Sequence, residues 1–188
     1  MLVTPFGNSE KDYCDLARKL RNHLRNCLTN TNGQGAWSTE NFKALTTFNY
    51  EKDKVEPFPH EAGHRKGEFL WDYVAYVQGK GILFVAESEW KNLAEKDVQH
   101  DFEKLLYAKC PLKVMVCRQN SEKHAEEISK YLTLYARKTS QNYSPGEVFL
   151  LYCVGWTKEG ERTDRSFVWQ VPSDYHFDTH KFEFKSFE

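Results

Sequence analysis

Two runs, 68–77 and 82–89, alternate with a period of two, and both carry apolar side chains on each face. Only Gln78-Gly79-Lys80-Gly81 separates them, and its glycines suit a tight hairpin turn. One face reads Phe69, Trp71, Tyr73, Ala75 and Val77 against Ile82, Phe84, Ala86, Ser88 and Trp90. The other carries Leu70, Val74, Tyr76, Leu83 and Val85, interrupted only by acids. A hairpin with no wettable face has to be covered on both sides, which points to a sheet between two layers of helix.

The rest of the chain offers those layers. A helix is expected from Ser9, an N-cap ahead of Glu10 and Asp12, to about Asn26. Leu16, Leu20, Leu24, Cys27 and Leu28 fall on one side of it, and Arg18, Arg21 and Arg25 on the other. Residues 30–35 read as a loop, 39–45 as a short helix or turn and 46–50 as a strand. After the hairpin, a helix over 93–109 turns Val98, Phe102, Leu105 and Leu106 inward and stops at Pro111. A buried strand over 112–117 follows, then a helix capped by Ser121 and running to about Lys138. The last strands are 148–154 and 166–171, with a polar turn over 158–165 between them. The crossover from Glu89 to Leu112 makes those two strands parallel neighbours of right-handed sense. The expected fold class is α/β: one domain of 188 residues with a mixed central β-sheet flanked by helices.

The 26 basic and 27 acidic side chains leave a net charge of -1, which excludes a generic polycation. A nucleic-acid partner would have to be held by a local basic patch or through metal ions. The arginine side of the first helix reads first as a solvated outer face and second as a phosphate-contacting stripe. The 5 cysteines are odd in number and include no C-x-x-C pair, so reduced thiols in a cytoplasmic protein are expected. The longest strictly apolar stretch, 148–154, is too short to cross a bilayer. The N-terminus lacks the basic start and long apolar segment of a secretory signal, so neither membrane insertion nor secretion is expected.

The acids on the hairpin carry the chemistry. A symmetric loop centred between Gly79 and Lys80 sets Asp72 directly across from Glu87, with Cβ atoms about 4.5–5.5 Å apart. Glu89, two residues on, shares the face of Glu87. Two like charges about 5 Å apart repel by roughly 3 kcal/mol at an effective dielectric near 20. Such a group wants a divalent cation, a nearby Lys or Arg, or a shared proton. Oxygen-only ligands favour Mg²⁺ or Mn²⁺ over zinc. The bland alternative is a solvated strand face with Asp72 paired to a lysine.

The run Ile82-Leu83-Phe84-Val85-Ala86-Glu87-Ser88-Glu89-Trp90 has Asp72 across the hairpin and Asp101-Phe102-Glu103-Lys104-Leu105 after it. Together they resemble the PD-(D/E)XK nuclease superfamily, in the pattern of the BamHI-like restriction endonucleases, where Glu-x-Glu-Trp stands for Glu-x-Lys. The resemblance covers about 68–117, leaving an N-terminal helical region and a C-terminal β extension outside it. It implies a restriction-endonuclease-like core and a Mg²⁺-dependent (or Mn²⁺-dependent) endonuclease that hydrolyses phosphodiester bonds in double-stranded DNA and is able to act as a homodimer. In that pattern Asp72 and Glu87 are the metal-binding acids, and the Ser88 backbone carbonyl completes the metal's ligands. Glu89 takes the place of the catalytic lysine and polarises the attacking water. Lys104 offers a migrated positive charge, although an ordinary i,i+3 pair with Asp101 is an equal reading.

Glu68 is a candidate outer acid or a plain surface charge. His60, His64, Arg65 and Lys66 form a basic stretch just before the hairpin, suited to phosphate contact or to solvent. No Ser-His-Asp or Cys-His signature, phosphate-cradling glycine loop or dinucleotide fingerprint occurs. Two other functions stay open. One is a catalytically inactive nuclease-like fold that binds nucleic acid or protein, and the other is a metal-dependent phosphodiesterase for smaller substrates.

Overall fold

The computed structural model describes residues 10–28, 44–45, 47–48, 55–58, 71–79, 81–90, 95–139, 143–157, 161–176 and 181–187. Helix α1 (Glu10–Cys27) leads, followed by β1 (Val55–Phe58), β2 (Tyr73–Val77), β3 (Gly81–Glu89) and α2 (Glu95–Tyr107). Then come β4 (Leu112–Arg118), α3 (Glu122–Thr139), β5 (Val148–Trp156), β6 (Arg162–Gln170) and β7 (Lys185–Ser186). The strands form one seven-stranded sheet in sequence order. β3, β4 and β5 run parallel, and every other neighbouring pair is antiparallel.

The order follows from what the strands must bury. Leu83–Glu87 in β3, Leu112–Cys117 in β4 and Val148–Gly155 in β5 are buried throughout, so these strands need cover on both faces. On one face, Leu16, Leu20, Leu24 and Leu28 of the first helical segment pack on Tyr73, Phe84, Val114, Val116, Leu150 and Tyr152. On the other, Phe102 and Leu105 of α2 and Ile128 and Leu132 of α3 pack on Val85, Met115, Phe149 and Leu151. The two crossovers step the same way across the sheet with the same hand, so α2 and α3 share a face and α1 takes the other. Ser121 Oγ accepts the His124 amide at 3.1 Å, an N-cap on α3.

The hairpin keeps the expected pairing by an unexpected route. Its loop is three residues long, with Val77 opposite Gly81, and Gly79 and Gly81 take φ of 77° and 97°. Left alone, that loop would shift the register by one. A bulge between Ala75 and Tyr76 on one side and Phe84 and Ile82 on the other absorbs Leu83 as the extra residue. Beyond it Ala75 pairs with Phe84, Val74 with Val85 and Tyr73 with Ala86, as a symmetric loop requires. Leu83 therefore joins the α1-side core with Phe84, whereas Ile82 packs on the α2 side, reversing the expected faces of these two residues.

Other expectations are corrected. Strand β2 begins at Tyr73, and Trp71 packs on the α2 side, not beside Tyr73. Thr47 lies in a turn, closed by the Phe48 amide on the Leu45 carbonyl at 3.2 Å, where a strand was expected. Cys27 is exposed, because it sits beside the leucine stripe of α1 and not on it. Residues 162–165 extend β6, since Arg162 and Asp164 find partners across β5 that a polar turn would not give them. Strands β1 and β7 were not expected. All five cysteines are thiols. Among the described residues, no helix is long and apolar enough to cross a membrane.

Gly155 near the end of β5 is hemmed in by the chain that leaves β4. A Cβ there would lie 2.7 Å from Gln119 Cγ, 2.9 Å from the Gln119 carbonyl and 3.0 Å from Thr163 Oγ1. Gln119 is itself buried and donates to the Thr163 carbonyl, so it has little room to yield. Gly155→Ala is expected to lower stability by about 1–3 kcal/mol, read as a drop in the urea unfolding midpoint at unchanged slope.

Candidate functional site

The hairpin and α2 meet at two successive residues. Trp71 Nε1 donates to the Lys104 carbonyl of α2 at 3.2 Å. Asp72 grips β3 instead: its Oδ2 accepts the Ser88 amide at 2.9 Å and the Ser88 hydroxyl at 3.1 Å. The pair ties the start of β2 both to the covering helix and to the neighbouring strand.

Glu87 lies on the α2 face of β3 with 0% of its surface exposed. Its Oε2 accepts from Lys104 Nζ at 3.2 Å, and the same ammonium donates to Asp101 Oδ1 at 2.9 Å. Lys104 thus makes the i,i+3 pair with Asp101 and reaches the hairpin acid Glu87 with the same ammonium. Glu87 Oε1 is buried and takes no hydrogen bond among the described residues. Glu89 ends β3 across from Cys117, half-buried and on the face of Glu87.

The electrostatics follow from this crowding. Burial, the nearby Asp72 and Asp101 push the Glu87 carboxyl up to about 8, against the pull of Lys104. Loss of water around Asp72, together with Asp101, raises its carboxyl as well, opposed by the two Ser88 hydrogen bonds and by Lys104. Burial alone would depress Lys104, but the hydrogen bond it donates to Asp101 and the charge of Glu87 outweigh it and the net shift is upward. Lys104 is therefore a fixed cation at neutral pH, and Glu87 is the group that holds or releases a proton.

Sequence reasoning named Asp72, Glu87, Ser88 and Lys104, and these four are brought together. It quoted Asp101 only as a helical neighbour and placed Trp71 on the other face. The missed signal for Asp101 is helical phase: it directly precedes Phe102 and stands four residues before Leu105, at the margin of the buried stripe of α2. Arg18, Arg21 and Arg25 lie on α1, across the sheet from this site. His60, His64, Arg65, Lys66 and Glu68 lie outside the described residues.

Among the described residues, no group of three or more His, Cys, Asp and Glu side chains is placed to hold one metal ion. A Mg²⁺ site does not demand one, because this ion is commonly held by one or two carboxylates with water and substrate phosphate supplying the rest. Asp72 and Glu87 fit that donor set, and the orphaned Glu87 Oε1 is a buried oxygen without a proton donor.

A carboxyl with a folded-state value above its unfolded value keeps a proton that the unfolded chain has already lost. The stability it contributes is full below about 4.5, falls as pH rises, and is gone above about 8. Urea midpoints of wild type and Glu87→Gln should diverge across that window, with the wild type losing ground as pH rises. Parallel curves would contradict the buried proton.

Comparison with known proteins finds no matching family model, no matching curated protein and no matching solved structure.

Proposed function

We propose that the protein is a divalent-metal-dependent nuclease with a restriction-endonuclease-like core, hydrolysing phosphodiester bonds in DNA. The observation that carries this reading is Lys104 Nζ at 3.2 Å from the buried Glu87 Oε2, beside Asp72, where the hairpin meets α2. The element order supports it: a helix, three antiparallel strands, a crossover helix and a parallel strand, with Asp72 just before the second strand and Glu87 and Glu89 on the third. The thiol state of the cysteines suits a reducing compartment such as the cytoplasm.

In this reading Asp72, Glu87 and the Ser88 carbonyl hold Mg²⁺ or Mn²⁺. The ion, when bound, stabilises the negative charge that builds on the phosphate under attack. Ser88 keeps the Asp72 carboxylate turned toward β3. Lys104, cationic at neutral pH, stabilises charge on the phosphate and is not a general base. Glu89 is the acid left to orient the attacking water.

A second reading has one observation of its own. Lys104 already neutralises Glu87, and the acids do not gather in threes among the described residues, which suits a nuclease-like fold retained for binding.

Supercoiled plasmid and linear duplex incubated with Mg²⁺ or Mn²⁺ separate the two. The nuclease should nick or cut the DNA, lose cleavage in Glu87→Ala, and slow by about 100-fold or more in Lys104→Met. Duplex binding without cleavage in either ion would establish the binding module. Turnover of a small nucleotide phosphodiester but not of DNA would point to the smaller substrate.

A further inference from the structure

Four arginines gather where α1 passes over β6 and the segment 181–187. Arg162 is the inner one, with its side chain 13% exposed. Its Nε sits 2.8 Å from Asp164 Oδ1, and its two terminal nitrogens donate to the Tyr152 hydroxyl and to the Arg25 carbonyl of α1. Tyr152 in turn donates to Asp164 Oδ2 at 2.9 Å. Asp164 is therefore spent on a buried network that fastens the end of α1 to the sheet.

The outer arginines are less well matched. Arg25, 65% exposed, reaches that same Asp164 oxygen only at 3.6 Å. Arg21 donates to the Phe187 carbonyl at 2.9 Å and to Asn22, with no carboxylate in ion-pair range among the described residues. Arg18 pairs with Asp15 at 2.5 Å. Both Arg18 and Arg21 also lie over the Phe187 ring, 5.4 and 5.3 Å from its centroid. Among the described residues, four guanidinium groups thus share two carboxylates. Besides burial, the charges of Arg25 and Arg18 lower the Arg21 value, a sign of mutual repulsion that an anion would relieve.

The cluster and the acids stand at the same edge of the sheet, the arginines on its α1 face and Glu87 on its α2 face. Because β3, β4 and β5 are parallel, their carboxyl ends share one edge. Glu87 and Glu89 are at that end of β3, and Arg162 pairs with Trp156 at that end of β5. Three strand spacings, roughly 14 Å, separate β3 from β6. Guanidinium forks suit phosphate oxygens, and exposed arginines on a fixed helix would position a backbone without reading bases.

We infer that Arg21 and Arg25, buttressed by Arg162 and Asp164, bind backbone phosphates of a DNA duplex that runs along the sheet edge shared with Asp72 and Glu87. This rests on the nuclease reading, yet its test needs no cleavage. Fluorescence anisotropy with a labelled duplex in EDTA, over a series of salt concentrations, measures binding alone. R21Q/R25Q is compared with K123Q/K130Q, which removes the same charge from the exposed side of α3. The arginine pair should weaken binding at least tenfold and lower the log–log salt slope by about 2, while the lysine pair leaves both near wild type. Matching thermal midpoints for all three proteins show that the helix still docks, and R25Q alone, at the most exposed position, repeats the comparison if the double variant unfolds. Equal losses in both pairs, no loss in the arginine pair, or no duplex binding by wild type would overturn the inference. So would arginine-dependent binding to anionic lipid vesicles but not to duplex. Binding without metal-dependent cutting would sink the nuclease reading and leave the phosphate surface standing.

Discussion

Because β3, β4 and β5 have no solvent face, the protein has to place helices on both sides of them, and its other features follow. Parallel neighbours require crossovers, and crossovers of one hand moving one way put α2 and α3 on a single face. The opposite face is left to the leucine stripe of α1. The same parallel run collects three strand ends along one edge, so that the hairpin acids and the cations around Arg162 stand at the same edge of the sheet, on opposite faces. The buried Lys113–Glu147 ion pair, 2.6 Å across, sits toward the other edge, at the start of β4 and β5, and belongs to the core and not to the site.

The site is built by desolvation more than by charge count. Glu87 is the only fully buried acid of the group, and α2 supplies it with one ammonium and also a second carboxylate, Asp101. One cation among three acids leaves an excess of negative charge that water screens least at the buried Glu87. A proton on Glu87 is one way to settle that excess, and a divalent ion with a bound phosphate is another. Trp71 and Asp72 keep the balance local, because they hold α2 and β3 at fixed separation around Glu87.

Much of this was legible in the residues. Two-sided apolar runs announced the central strands, Ser121 announced the start of α3, and the spacing of Leu16, Leu20 and Leu24 gave the buried side of α1. The register from Tyr73–Ala86 to Ala75–Phe84 was also readable, although the symmetric loop assumed for it does not exist. Short or polar strands were not legible: β1 holds a proline, β7 has two residues, and Arg162–Arg165 looks like a turn until Tyr152 and Asp164 are seen to meet. Asp101 and Trp71 escaped because their roles depend on how α2 lies across the hairpin, and no local pattern encodes a crossing angle.

Leu83 divides the hairpin into two segments of opposite phase. On the turn side, odd and even residues face one way; past the bulge they exchange, and only there do the acids begin. A one-residue change in the length of the turn would meet a strand that already accommodates one surplus residue, and it could be absorbed by moving or erasing that irregularity. The hairpin tip is in this sense insulated from the acids, able to change length while the pairing that aligns Asp72 with β3 stays in step.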